Sequence, residues 1–167
     1  MGIGDADNGE ANAAEAYDAA EEIATEAVAV FHRSLGVFNR ITAGLLPGDG
    51  SFEDARKARD ELWKLMEEEF KSCRDRIKWS LDEAVEAART AREGADNAEG
   101  ADIRSPLLAE AFKAYKKTTR DGEDPDNRAT NAEQDVENIK GERDKLAVLY
   151  GKMQALMNTA AVLVPYA

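Results

Sequence analysis

This sequence of 167 residues is poor in the residue types that most catalytic and metal sites require. It holds one cysteine, Cys73, and one histidine, His32. A single cysteine excludes a disulfide framework and a cysteine-based zinc site. A single histidine excludes a catalytic histidine pair and the two-histidine metal motifs of helices. We therefore expect no catalytic residue, no metal ligand and no cofactor, with Cys73 acting as a small core residue and His32 lying at the edge of the core.

Long hydrophobic runs and basic residues are also scarce. No apolar run approaches the roughly 18–20 residues that cross a membrane, and the first residues lack the basic and apolar regions of a signal peptide. A cytoplasmic protein is the default expectation, although export without a leader stays open. Lys and Arg number 22 against 34 Asp and Glu, a formal net charge of −12. Since proteins that follow nucleic-acid phosphates are basic on at least one face, we expect no direct nucleic-acid binding.

Apolar residues instead recur in steps of three and four, the spacing of amphipathic helices. The first such segment covers about residues 13–46 and ends at the Pro and Gly residues of 47–50. The second begins at Ser51, a helix-capping residue, and is expected to stop at Gly94, before a loop over 94–104. The predicted core stripes are Tyr17, Ala20, Ala24, Ala27, Phe31, Leu35, Phe38, Ile41 and Leu45 in the first helix, and Leu62, Met66, Phe70, Cys73, Ile77, Leu81, Ala84, Ala88 and Ala91 in the second.

The last long segment, over about 128–163, has the strictest pattern. Its apolar positions alternate steps of four and three over more than four heptads, which is typical of a coiled-coil seam. A short helix is predicted over 105–119, starting at Ser105 and Pro106. The predicted seam residues are Ala132, Val136, Ile139, Arg143, Leu146, Tyr150, Met153, Met157, Ala160 and Val164.

These patterns predict an all-α fold: an elongated antiparallel bundle of three long helices and one short helix. A short connection forces neighbouring helices to pack antiparallel, so the first two should form a hairpin. Residues 1–12 are small, polar and acidic, and we interpret them as a disordered acidic lead-in. A single helical-bundle domain is expected over 13–167. No motif in the chain identifies a family.

Two residues on the helices are candidate interface positions. Trp79 points nearly opposite the stripe of its own helix, whereas Trp63 shares the stripe's heptad row and is expected in the core. Trp79 is either an isolated exposed aromatic residue or an anchor for a partner. Arg143 occupies a seam position, where its stem could pack while the guanidinium reaches solvent or a glutamate, or where it could fix register or partner choice.

The carboxy-terminal segment is apolar and uncharged, unlike an ordinary frayed tail. Its large side chains should be docked, either on the chain's own bundle or on another subunit. We therefore take these residues as further candidate interface positions: Val162, Leu163, Val164 and Tyr166.

Two functions are consistent with this sequence, and neither is enzymatic. The first is a structural or assembly protein whose bundle self-associates or packs into a larger particle, so that its partner is a protein, above all itself. The second is an acidic inhibitor or nucleic-acid mimic that docks on a basic protein partner, because a strong field of one sign attracts the other.

Overall fold

A computed structural model describes residues 2–46, 51–104 and 124–166 of the chain, with side chains over 4–46, 51–98 and 124–166. Four α-helices account for nearly all of these residues, and no strand occurs among them. The all-α helical bundle predicted from the sequence is thus confirmed. The predicted short helix over 105–119 lies outside the described residues. The helices are α1 (Gly2–Gly44), α2 (Phe52–Lys64), α3 (Lys71–Arg104) and α4 (Pro125–Leu163), and a π-helical turn, Leu65–Phe70, joins α2 to α3.

Helix α1 begins at Gly2, where the sequence predicted a disordered lead-in. Ala6 and Gly9 follow helical spacing and are both buried. A Cβ at Gly9 would lie 2.6 Å from the carbonyl oxygen of Ala87 and 2.7 Å from the amide nitrogen of Ala91, so the backbones of α1 and α3 nearly touch. The small residues at the start of α1 therefore pack against α3, although the composition of this segment resembles that of a disordered one.

Between Ala27 and Ile41, the buried face of α1 lies one residue earlier than predicted. The core positions there are Val30, Ser34 and Val37, whereas Leu35 is 37% exposed; the predicted Ile41 is fully buried. The buried hydroxyl of Ser34 donates a hydrogen bond to the carbonyl oxygen of Val30 over 3.0 Å, which removes the cost of placing a polar group there. The sequence pattern favoured the larger neighbouring side chains and missed this polar core position.

Helix α2 begins as predicted, with the amide of Asp54 donating to the hydroxyl of Ser51 over 3.0 Å. The prediction for Trp63 was wrong, because its side chain is 49% exposed. Leu62 is fully buried, and the next position along the helix turns about 100° away from it. The predicted stripe from Leu62 to Ala91 is otherwise buried throughout.

The predicted stop at Gly94 was also wrong, because α3 continues to Arg104. Gly94, Ala95 and Ala98 lie on the same face as Ala91, and all are buried. Packing of this face outweighs the roughly 1 kcal/mol by which glycine disfavours a helix relative to alanine.

Helix α4 has the predicted seam along most of its length. Two of the predicted positions are not buried: Tyr150 is half-buried, and Arg143 is exposed. The buried residues of the seam are Ala132, Val136, Ile139, Leu146, Met153, Met157, Ala160 and, just beyond the helix, Val164.

Contacts divide the chain into two compact units. Unit 1 comprises Met1–Ala20 and Trp79–Gly141, and unit 2 comprises Glu21–Lys78 and Glu142–Ala167. The predicted single domain over 13–167 and its elongated shape stay predictions.

Within unit 2, ion pairs show that α1 runs antiparallel to α2 and the π-helical turn that follows it. Arg40 pairs with Glu61 at 2.7 Å, and Arg33 pairs with Glu69 at 3.0 Å. The later of the two α1 residues pairs with the earlier of the two glutamates. The segments therefore run in opposite directions, which confirms the predicted hairpin. Phe70 also stacks on Tyr150 of α4, with ring centroids 5.9 Å apart.

Within unit 1, α4 packs beside both α1 and α3. The guanidinium of Arg128 lies 2.9 Å from a carboxylate oxygen of Asp7 and 2.8 Å from one of Glu10. Arg92 of α3 binds Glu133 at 2.7 Å and also pairs with Asp126. These pairs tie all three helices together near the first residues of α4.

Candidate functional site

Trp79 is the most exposed aromatic side chain among the described residues, with 68% of its surface accessible. It lies at the first position of the α3 segment in unit 1, between the buried residues Ile77 and Leu81 in sequence but not on their face. A ring of this size gains free energy when it is removed from water. Its role as an interface anchor stays a prediction.

Trp79 borders an open groove between α1 and α3 of about 730 Å³, here named the Trp79 groove. Ala16 and Ala87 are buried along it and leave room above them because their side chains are small. The close approach of the two helices at Gly9 fixes their separation near one end. The groove is lined by Asn12, Glu15, Ala16 and Ala19 of α1 and by Trp79, Asp82, Glu83, Glu86, Ala87 and Thr90 of α3.

The polar rim of this groove is acidic. Glu15, Asp82 and Glu83 are exposed, and no described cation lies within ion-pair distance of any of them. Glu86 is different, because Arg89 of the same helix donates to it and the resulting hydrogen bond lowers the pKa of the Glu86 carboxyl. Three carboxylates beside an indole face thus remain available to a cation from outside.

The basic side chains that are described in unit 1 are already engaged by its own carboxylates. They number four, against 15 described acidic side chains. Each of them forms an ion pair inside the unit, so none offsets the charge at the groove. The four are Arg89, Arg92, Arg128 and Lys140.

One carboxyl of unit 1 shows how dense this charge is. Asp135 of α4 is half-buried, and burial, with the neighbouring carboxylates of Asp18 and Glu10, holds its pKa above the ordinary value of 3.8. Repulsion between these acids is a cost that unit 1 bears in its folded state.

The carboxy-terminal segment docks on its own unit. Val164 is fully buried, and its carbonyl oxygen and that of Pro165 accept hydrogen bonds from Nη1 of Arg59 over 2.8 and 2.9 Å. The guanidinium of Arg59 also lies 3.7 Å from the ring centroid of Tyr166. Val162 remains 78% exposed and Leu163 39%. Of the four predicted interface positions, Val164 and Tyr166 thus contact Arg59, whereas Val162 and Leu163 remain exposed.

Arg59 itself was missed by the sequence analysis. It is 5% exposed, four residues after buried Ala55 and three before buried Leu62. That spacing on the core face is the signal that could have identified it. Helical spacing alone does not reveal that its partners are carbonyl groups more than a hundred residues away.

Arg143 lies at a seam position of α4. Its side chain is 46% exposed, and its only described polar partner is the neighbouring Asp144, at 3.4 Å. The seam is therefore interrupted at this position, and a role of Arg143 in partner choice stays a prediction.

The remaining reactive side chains offer little chemistry. Cys73 is fully buried, and burial, followed by the charge of Glu26, raises the pKa of its thiol, so the nucleophilic thiolate is disfavoured. His32 is exposed beside Phe31, with ring centroids 6.1 Å apart. Among residues with described side chains, no group of three or more His, Cys, Asp or Glu could hold a metal ion.

None of the helices in the described ranges has the length and hydrophobicity that a membrane crossing requires. Comparison of the chain with protein-family models, curated proteins and solved structures found no match. The Trp79 groove and the docked carboxy-terminal segment are thus the features from which a function is argued.

Proposed function

We propose that this chain is a non-enzymatic binding protein whose acidic unit 1 docks on a basic surface of a protein partner. The observation that carries the proposal is the unequal distribution of charge. Among residues with described side chains, unit 1 has 15 acidic and 4 basic residues, whereas unit 2 has 13 of each. Nearly all of the net charge of −12 therefore belongs to one unit.

Such a concentration of charge favours association with a positive partner. A field of one sign steers the encounter of oppositely charged proteins and raises the association rate, most strongly at low ionic strength. An acidic surface of this kind could also compete with nucleic acid for a basic channel, as an inhibitor or mimic would. The simpler alternative is that the charge serves solubility alone.

The proposal is tested with a synthetic helical peptide that carries eight arginines on an alanine background. We expect saturable binding by calorimetry at 20 mM salt and at least tenfold weaker binding at 200 mM, because screening grows with ionic strength. A peptide with glutamates at the same positions is the control and should not bind. Absence of binding to the arginine peptide at 20 mM salt would contradict the proposal.

Self-association remains a second candidate function because α4 exposes two valines on one side of the helix in unit 2. Val148 is 60% exposed and Val162 is 78% exposed, and the two lie fourteen residues, or two heptads, apart. Burying both between two copies would remove apolar surface from water. Light scattering tests this candidate: a mass above 18.2 kDa that falls on dilution supports it, and a monomer at high concentration contradicts it.

A further inference from the structure

We propose that the Trp79 groove binds an arginine side chain presented by a helical segment of the basic partner. This inference rests on the proposed function and assigns it a site and a recognition chemistry. The groove combines an aromatic face that is 68% exposed with exposed carboxylates at Glu15, Asp82 and Glu83. An arginine is the side chain that satisfies both elements at once, since its planar guanidinium stacks on rings and donates to carboxylates.

The chain already uses this chemistry internally in unit 2. The guanidinium of Arg59 lies 3.7 Å from the ring centroid of Tyr166, and that of Arg74 lies 4.1 Å from the ring centroid of Tyr150. No described cation stacks on Trp79. Tryptophan is the best aromatic partner for a cation, so the exposed face of Trp79 offers a stronger position than either of these tyrosines.

The shape of the groove favours a helix over an isolated arginine. Its volume of about 730 Å³ exceeds that of one side chain, and it runs between two helices whose small residues form its floor. A partner helix could pack along the Trp79 groove as one helix packs against another. Arginines three or four residues apart would then lie on the face of that helix that contacts the groove. The described side chains of unit 1 do not supply such an arginine, because the four basic ones among them are all paired.

Fluorescence of Trp79 gives a direct readout. In the Trp63→Phe variant Trp79 is the only tryptophan, because the chain has two. We expect the arginine peptide to change its emission saturably, with affinity at least fivefold higher than that of the same peptide with lysines. The citrulline version keeps the planar group without the charge, and it should not bind. Equal affinity for the lysine and arginine peptides would overturn the assignment of a guanidinium.

Two tryptophan variants provide matched controls in calorimetry. Trp79→Ala should lower the affinity for the arginine peptide about tenfold, the upper range expected for one cation–ring contact. Trp63→Ala removes a tryptophan of similar exposure from unit 2 and should leave the affinity within twofold. Circular dichroism of both variants should match that of the unchanged chain, because both rings are exposed.

The failures of the two proposals are distinguishable. If the unchanged chain binds the arginine peptide and Trp79→Ala binds it equally well, the groove is not the site, although docking by unit 1 survives. If the unchanged chain does not bind at 20 mM salt, the proposed function fails as well. If Trp79→Ala abolishes self-association in light scattering but leaves peptide affinity unchanged, the groove holds a second copy of this chain and the inference is wrong.

Discussion

The Nη1 atom of Arg59 donates to the carbonyl oxygen of Val164 over 2.8 Å, and so joins the second helix to the carboxy-terminal segment. Arg59 is 5% exposed and Val164 is fully buried. Arg59 also pairs with Asp60 at 3.2 Å, but that carboxylate is largely exposed, so the buried acceptor of Arg59 is the carbonyl oxygen of Val164. A guanidinium buried in this way stabilises the fold only while those acceptors stay in place.

Replacing Arg59 should therefore be costly. We expect Arg59→Ala to lower the free energy of unfolding by about 2–4 kcal/mol, because two carbonyl groups lose their donor and the ring of Tyr166 loses its cation. Chemical denaturation measures this change. Arg56→Ala is the matched control on the same helix: its side chain is 50% exposed and pairs with Glu53 at 3.4 Å. It should cost less than about 0.5 kcal/mol. Equal effects of the two variants would show that the contact is not stabilising.

Deleting residues 162–167 should lower the melting temperature by an amount that does not depend on protein concentration. The reason is that Val164 packs within unit 2 and its backbone binds Arg59 of the same unit. The deletion and Arg59→Ala should be less than additive, since both remove the same contact. A deletion that changes only the oligomeric state, at constant monomer stability, would indicate docking on another subunit instead.

The helical pattern was sufficient to predict the fold class, because apolar residues such as those from Leu62 to Ala91 stay on one face of a helix for many turns. It was insufficient where small residues decide the packing. Gly9 has no side chain to count as apolar, and Ser34 is polar, yet both are buried. Their burial depends on how closely a neighbouring helix approaches, and that is a property of the tertiary structure.

The candidate site was predictable only in part, for a related reason. The spacing of apolar residues within α3 was enough to identify Trp79 as exposed, because Trp79 lies opposite the buried stripe of its own helix. Glu15 was not associated with it, because 64 residues of chain separate the two. The groove exists only where α1 and α3 come together, so no local pattern specifies it.

Two glycines of α1 should respond oppositely to alanine. Gly9→Ala should destabilise the protein, because the added Cβ would lie 2.6 Å from the carbonyl oxygen of Ala87 and the helix backbones would have to separate. Gly36→Ala should stabilise it by about 0.5–1 kcal/mol, since nothing lies within 4 Å and alanine favours the helix. Thermal melting compares the two. A stabilising Gly9→Ala substitution would refute the close approach.

The raised pKa of Asp135 gives a pH dependence of known sign. Between the ordinary value of 3.8 and the higher pKa in the folded state, the folded chain binds more protons than the unfolded chain. The stability contribution of this group therefore falls as the pH rises through that interval. Asp135→Asn should raise the melting temperature at pH 7 and give little advantage at pH 3. The control Asp144→Asn, at an exposed position, should change neither value. A lower melting temperature of Asp135→Asn at pH 7 would contradict the repulsion inferred among these acids.

If unit 1 is the docking surface, binding depends on where the charge lies and not only on its total. Two triple variants test it, and both change the net charge from −12 to −9. The first, Glu15→Gln with Asp82→Asn and Glu83→Gln, neutralises the three carboxylates of the Trp79 groove that are unpaired among the described residues. The second, Glu68→Gln with Glu69→Gln and Asp144→Asn, neutralises exposed acids of unit 2, and the exposed ion pairs that it breaks contribute little.

The deciding measurement is the affinity of these two variants for the arginine peptide at 20 mM salt, by calorimetry. We expect at least tenfold weaker binding for the unit 1 variant and a change of less than twofold for the unit 2 variant. Equal weakening of both would show that the peptide responds to total charge alone, and it would contradict docking through unit 1.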